Sequence, residues 1–147
     1  IARVGHEVEN QRHVDALAAY VADLQVEMGL HAWHLRVMGG PAPKPHRGHL
    51  AVVWTANESN EANIYANERF FALTRREQRQ TLTHELVHLL AERPQQFIRT
   101  SFTPLATDED GAAAAKEWLR IMYERMVDDL AWILAERLPL PPRGWLA

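Results

Sequence analysis

The chain has 147 residues, 47 % hydrophobic and 24 % charged, which suits a single folded domain over 1–147 and excludes a disordered segment. With 16 Lys and Arg against 19 Asp and Glu, the formal charge is −3, so neither nucleic acid nor a membrane surface is expected as a partner. There is no cysteine, which excludes disulfides, thiol nucleophiles and thiolate metal sites.

The first pattern is helical. Val14, Leu17, Ala18, Val21, Leu24 and Met28 recur at i, i+3, i+4 and i+7, predicting a helix from about residue 10 to 28, with Gly29 as its C-cap. Three strands follow, at 31–38, 49–55 and 62–67, each with every second residue apolar or small. Between the first two lies a Gly/Pro-rich stretch, 39–48, that predicts a loop, and the polar 57–60 predicts a hairpin turn. Thr74 and Glu77 then form a capping box, opening a helix expected to stop at about Arg93, before Pro94. Residues 94–107 read as an irregular connection. A last helix is expected from about residue 110 to 138, with Trp118, Ile121, Met122, Val127, Leu130, Ile133, Leu134 and Leu138 as its apolar stripe. Strands grouped together and helices grouped after them give an α+β fold with a three-stranded, mainly antiparallel sheet.

The chemistry lies in the middle helix. His84-Glu85-Leu86-Val87-His88 is an HExxH motif. On a helix the two histidines stand about 40° apart and one turn apart, so both imidazoles can reach one ion. Glu85 stands roughly 60° from His88, able to reach a water on the metal without being a ligand. Two nitrogen ligands, a base and an open position are what a hydrolytic zinc site requires. Two histidines on an apolar helix are hard to satisfy as plain core, which favours one zinc ion per chain over a structural reading.

A catalytic zinc site usually takes three protein ligands. All eight histidines lie at or before His88, so the third is expected to be a downstream carboxylate. Glu92 is about 12 Å along the helix from His84, too far to converge. Asp108, Glu109 and Asp110 read as helix-capping residues. Glu117 and Glu124, seven apart on the last helix, share one face, and periodicity does not separate them.

Glu124-Arg125-Met126-Val127-Asp128 resembles the ExxxD segment of gluzincins, zinc peptidases with HExxH and a glutamate ligand on a later helix. The resemblance implies Glu124 as third ligand and Asp128 as the carboxylate that orients a ligand histidine, His84 by position. The layout of helix, short sheet, HExxH helix and glutamate helix is similar to minigluzincins and to small metallopeptidases encoded by phages. It implies a minimal zincin-like fold and a zinc-dependent hydrolase of peptides or proteins, an endopeptidase rather than an exopeptidase. It also implies that the strand before the motif is a substrate-pairing sheet edge, which puts Ala62, Asn63 and Ile64 against the substrate. A second donor for the oxyanion is left open among Tyr123, Tyr65, His46 and His49. The rival reading is a non-catalytic or latent metal-binding domain, its cleft covered by an N-terminal segment or by the Pro-rich tail 140–147. Glu85 argues against a purely structural zinc site, which has no use for an unliganded acid. The opening six residues do not read as a signal peptide, and without cysteine a reducing, cytoplasmic location is the expectation.

Overall fold

A computed structural model describes residues 2–56, 59–102 and 109–144. The elements run α1 (Ala2–Glu27), β1 (His34–Met38), β2 (Ala51–Ala56), β3 (Glu61–Ala66), α2 (Glu68–Phe71), α3 (Arg75–Phe102) and α4 (Glu109–Ala135). The fold is α+β, with the order of helix, sheet and two long helices that the patterns imply.

Helix α1 ends as expected. Gly29 takes φ +68°, its N–H donates to Val26 O, and the N–H of Leu30 donates to Gln25 O. This is the paired closure of a Schellman motif, which needs a residue at ease with positive φ. The helix starts well before residue 10, because 2–10 contain no proline to stop it even though they carry no apolar period. Leu17, Tyr20, Val21 and Leu24 face inward and are fully buried.

The sheet differs from the expected one. Its order is β1-β3-β2: β3 pairs antiparallel with β2 but parallel with β1. The long loop after β1, regular only in a single 3-10 turn at His46–Gly48, carries the chain past the place that β3 later fills. Neighbours in sequence are therefore not all neighbours in the sheet. Asn60 makes the return at φ 53°, a conformation asparagine tolerates, and its carbonyl accepts from His34 N at 2.8 Å. Asn57 and Glu58, the first half of the expected hairpin turn, lie outside the described residues.

Strand β3 stops at Ala66, one residue short of the expectation, because Asn67 is taken as a helix cap. Its side chain accepts from Phe70 N at 3.0 Å and donates to His49 O at 2.7 Å. The short helix α2 that this starts has no sequence period of its own. It drives Phe70 into the core beside Ile64, Leu82 and Leu86.

The capping box of α3 is in place. Glu77 Oε2 accepts from Thr74 N at 2.8 Å and from Thr74 Oγ1 at 2.7 Å, and Glu77 N donates to Thr74 Oγ1 at 3.3 Å. The expected stop at Pro94 does not occur, and α3 runs on to Phe102. Proline removes one backbone bond and crowds the carbonyl four residues back, at a cost of ~3 kcal/mol. One feature reduces that cost here. Leu90 and Pro94 are exposed, so the orphaned Leu90 carbonyl meets water. Past Pro94 the helix faces α4 across a groove of about 560 Å³, which Gln95 and Ile98 line with Leu119, Met122 and Tyr123.

Helix α4 is apolar on more sides than it can bury. Val127, Ala131 and Ala135 are the buried residues of the helix. From the expected stripe, Trp118, Ile121, Met122, Leu130 and Ile133 are exposed, Trp118 by 61 %. The seam with α3 is instead a second small core, in which Val87 meets Val127 and Ala131. Beyond Ala135 the chain is clasped on the start of α3 and on α1: Arg79 Nη1 donates to Leu138 O at 3.0 Å, Arg75 Nε donates to Pro141 O, and Tyr20 Oη of α1 donates to Pro139 O at 2.7 Å. No helix among the described residues is long and apolar enough to cross a membrane.

The cap gives a direct stability test. Thr74→Ala leaves the first turn of α3 without its side-chain acceptor, and should cost about 1 kcal/mol. In a chain of this size that lowers Tm by about 3 °C in a thermal melt followed by circular dichroism.

Candidate metal centre

The motif sits mid-way along α3, where one face is packed on the sheet and α1 while the next faces α4. Leu82, Leu86 and Leu89 take the first face and are buried in the main core. His84 and His88 emerge beside them, each side chain 25 % exposed. Their Nε2 atoms lie 3.2 Å apart.

Across the seam, α4 presents Glu124. Its Oε2 lies 3.9 Å from His84 Nε2 and 3.8 Å from His88 Nε2. The nearest point equidistant from these three atoms, in their plane, is about 2.1 Å from each, within reach of a metal–ligand bond. His84, His88 and Glu124 thus form a group that can hold a metal ion. Glu117, the other carboxylate on this face, is paired with Arg120 through two bonds of 2.9 and 2.7 Å and stands outside the group.

The donor set has chemistry of its own. Asp128 Oδ1 lies 2.9 Å from His84 Nδ1. A carboxylate only accepts, so this contact places the proton on Nδ1 and leaves a lone pair on Nε2. Behind His88 stands Tyr123, with its hydroxyl 3.2 Å from His88 Nδ1 and the two rings tilted by 42°. Burial, with the charges of Glu124 and Glu92, holds the Tyr123 phenol well above its ordinary pKa, so it keeps its proton. The ring nitrogen of His88 is also held below its ordinary pKa, chiefly by burial and against the pull of Glu124, which keeps the imidazole neutral.

Glu85 points the other way, to the sheet. Its Oε2 accepts from Val53 N, in β2, at 3.0 Å. Burial pushes its carboxyl up to about 7, opposed by the Val53 N–H and by His84, with Glu124 adding to the rise. Glu85 is not one of the three residues of the cluster, and its charge interacts with those of His84 and Glu124.

One expectation is corrected. Ala62, Asn63 and Ile64 do not form a sheet edge, because β3 is the central strand and is bonded on both sides. Ala62 and Ile64 are buried outright, and Asn63 lies between Arg36 and Trp54 of the neighbouring strands. The edge beside α3 is β2, which supplies Val53 N to Glu85 and Thr55 Oγ1 to Glu92 at 3.3 Å. A main-chain donor on a strand leaves no mark in a sequence, so Val53 was not detectable there.

The residues considered for an oxyanion are also sorted. The Tyr123 hydroxyl meets the Nδ1 side of His88, away from Nε2. His46 packs edge-on against His49 and Trp54, with ring centroids 5.4 and 5.5 Å apart. Tyr65 lies within β3, opposite Val52 and Met38. The tail, to Gly144, is clasped through Arg75 and Arg79. Arg79 stands about 140° from His84 around the helix, so this clasp lies on the far face from the cluster. Residues 145–147 lie outside the described residues.

Comparisons with protein-family models, with curated proteins and with solved structures found no match.

The cluster is expected to take up one divalent metal ion per chain, and the His84→Ala, His88→Ala double variant to take up none, as read by elemental analysis after gel filtration. A chelator should lower Tm yet leave a cooperative transition, since both cores are built from apolar side chains and not from the metal. Loss of the helical signal on chelation would contradict this.

Proposed function

We propose that the chain is a zinc-dependent peptidase, with His84, His88 and Glu124 as metal ligands and Glu85 as general base. The observation that carries this reading is the unliganded carboxylate. A site built only to hold zinc closes its four positions with protein ligands, whereas here three ligands stand beside an acid tethered by a backbone N–H. When bound, zinc supplies a Lewis acid that polarises a carbonyl and makes a water acidic.

The chain's own groups do the rest. Val53 N–H holds one oxygen of Glu85, which fixes the carboxylate against rotation and leaves the other oxygen to accept a proton from the attacking water. Glu85 then returns that proton to the leaving amine nitrogen, which departs neutral. Asp128 and Tyr123 keep the two imidazoles aimed at a common point. For an extended peptide, the strand at hand is β2 rather than β3, because the outward backbone groups of an edge strand can pair with another chain. An edge of this kind reads a segment and not a terminus, which favours an endopeptidase.

The test is proteolysis of an unfolded protein such as casein, with zinc content measured on the same samples. Glu85→Gln should keep zinc and the fold, and lose at least ~10²-fold in rate. Asp128→Asn should bind zinc about 10–100-fold more weakly. Equal cleavage by Glu85→Gln and the parent would end the mechanism. Full zinc occupancy with no cleavage of any substrate would favour a non-catalytic metal-binding domain.

A further inference from the structure

The two ligand histidines are held in different ways. Behind His84 stands a carboxylate, which has no proton to give, so its 2.9 Å contact permits one tautomer only. Behind His88 stands a phenol, which can either donate or accept. A second acceptor lies close to that phenol: the carbonyl oxygen of His88 itself, at 3.4 Å.

Two arrangements follow. In the first, Tyr123 donates to His88 Nδ1, so the ring proton is on Nε2 and points at His84 Nε2, 3.2 Å away. Every group is then satisfied, but His88 offers no lone pair to a cation. In the second, Tyr123 turns its proton to the His88 carbonyl and accepts from Nδ1–H. The Nε2 lone pair of His88 then faces the same point as His84 Nε2 and Glu124 Oε2. Passing from one to the other moves one proton from Nε2 to Nδ1 and turns one hydroxyl, with no change of net charge.

We infer that Tyr123 is a positioning residue that lets His88 alternate between a hydrogen-bonded partner of His84 and a metal ligand, and that it fixes the ligand tautomer when metal is bound. The inference rests on the reading of His84, His88 and Glu124 as a metal site. Asp128 keeps His84 ready at all times, whereas Tyr123 lets the pair remain satisfied when empty, at the cost of a rearrangement on binding.

The experiment is a zinc titration against a chromophoric chelator on the full chain, for the parent and for Tyr123→Phe, with thermal melts of both metal-free proteins. Phenylalanine keeps the ring that packs against Val87 and Val127 and removes only the hydroxyl. Zinc affinity should fall about 10–100-fold, the range for a lost hydrogen bond to a ligand imidazole. In a His88→Ala background the same substitution should change the remaining affinity by less than about twofold, a distinction that mere loosening of the fold would not produce.

Nitrogen-15 spectra of the histidine rings in the parent give a check that needs no variant. The zinc-loaded form should carry the His88 proton on Nδ1, and the metal-free form should carry it on Nε2. Equal affinity in Tyr123→Phe, or an Nδ1 proton in both forms, would overturn the inference and leave the metal site standing. Failure of the parent to bind zinc would remove the metal site and this inference with it.

Discussion

The geometry of the site depends on how closely α4 lies against α3. That distance is set by small side chains: Val127 and Ala131 from α4 meet Val87 from α3 in a core with no larger buried residue. Helices meeting through such residues approach to the near end of the usual ~8–10 Å separation. Glu124 and Asp128, one turn apart, come to the histidines on one flank of this seam, while Tyr123 lies on the other. A side chain larger than alanine at 131 would move all three groups together, because they ride on one rigid helix. The cluster of His84, His88 and Glu124 is therefore a property of a helix pair and not of the HExxH motif alone.

Much of this was legible in the sequence, for identifiable reasons. His84, Glu85 and His88 obey a local rule, helical periodicity, which depends on nothing distant. The Schellman closure at Gly29 and the capping box at Thr74 are equally local. Glu124 could be singled out from Glu117 as the carboxylate that meets the histidines only through the company of Asp128, a partner that Glu117 lacks. What could not be read was decided by tertiary contact. The parallel pairing of β1 with β3 depends on a crossing that no periodicity records. The passage of α3 through Pro94 leaves no signal in the period, and the exposure of Trp118 and Ile133 reflects the absence of a described element over that side of α4. The tyrosine behind His88 was visible as a residue, but its partner became plain only once the two helices were brought together.

Two elements converge on α3 at the site, and between them they hold three of its polar groups. Strand β2 holds Glu85 through Val53, and α4 holds His84 through Asp128 and His88 through Tyr123. Each of the three α3 side chains thus has a partner outside its own helix. This division matters because imidazole and carboxylate side chains on a lone helix would sample several rotamers, and the ordering cost would fall on metal binding. Placing that cost on folding instead sets the side-chain rotamers in advance, so that binding an ion would leave only the His88 ring proton and the Tyr123 hydroxyl to move.

The two histidines and the glutamate also lie far apart along the chain, on either side of the α3–α4 connection. An ion held by all three ties residue 88 to residue 124 and closes the intervening stretch into a ring. In the unfolded chain such a tie removes configurations, as a disulfide does, and more of them for a longer loop. This protein has no cysteine with which to make a covalent tie. A bound metal would supply a tie instead, set beside the small core of Val87, Val127 and Ala131 that joins α3 to α4.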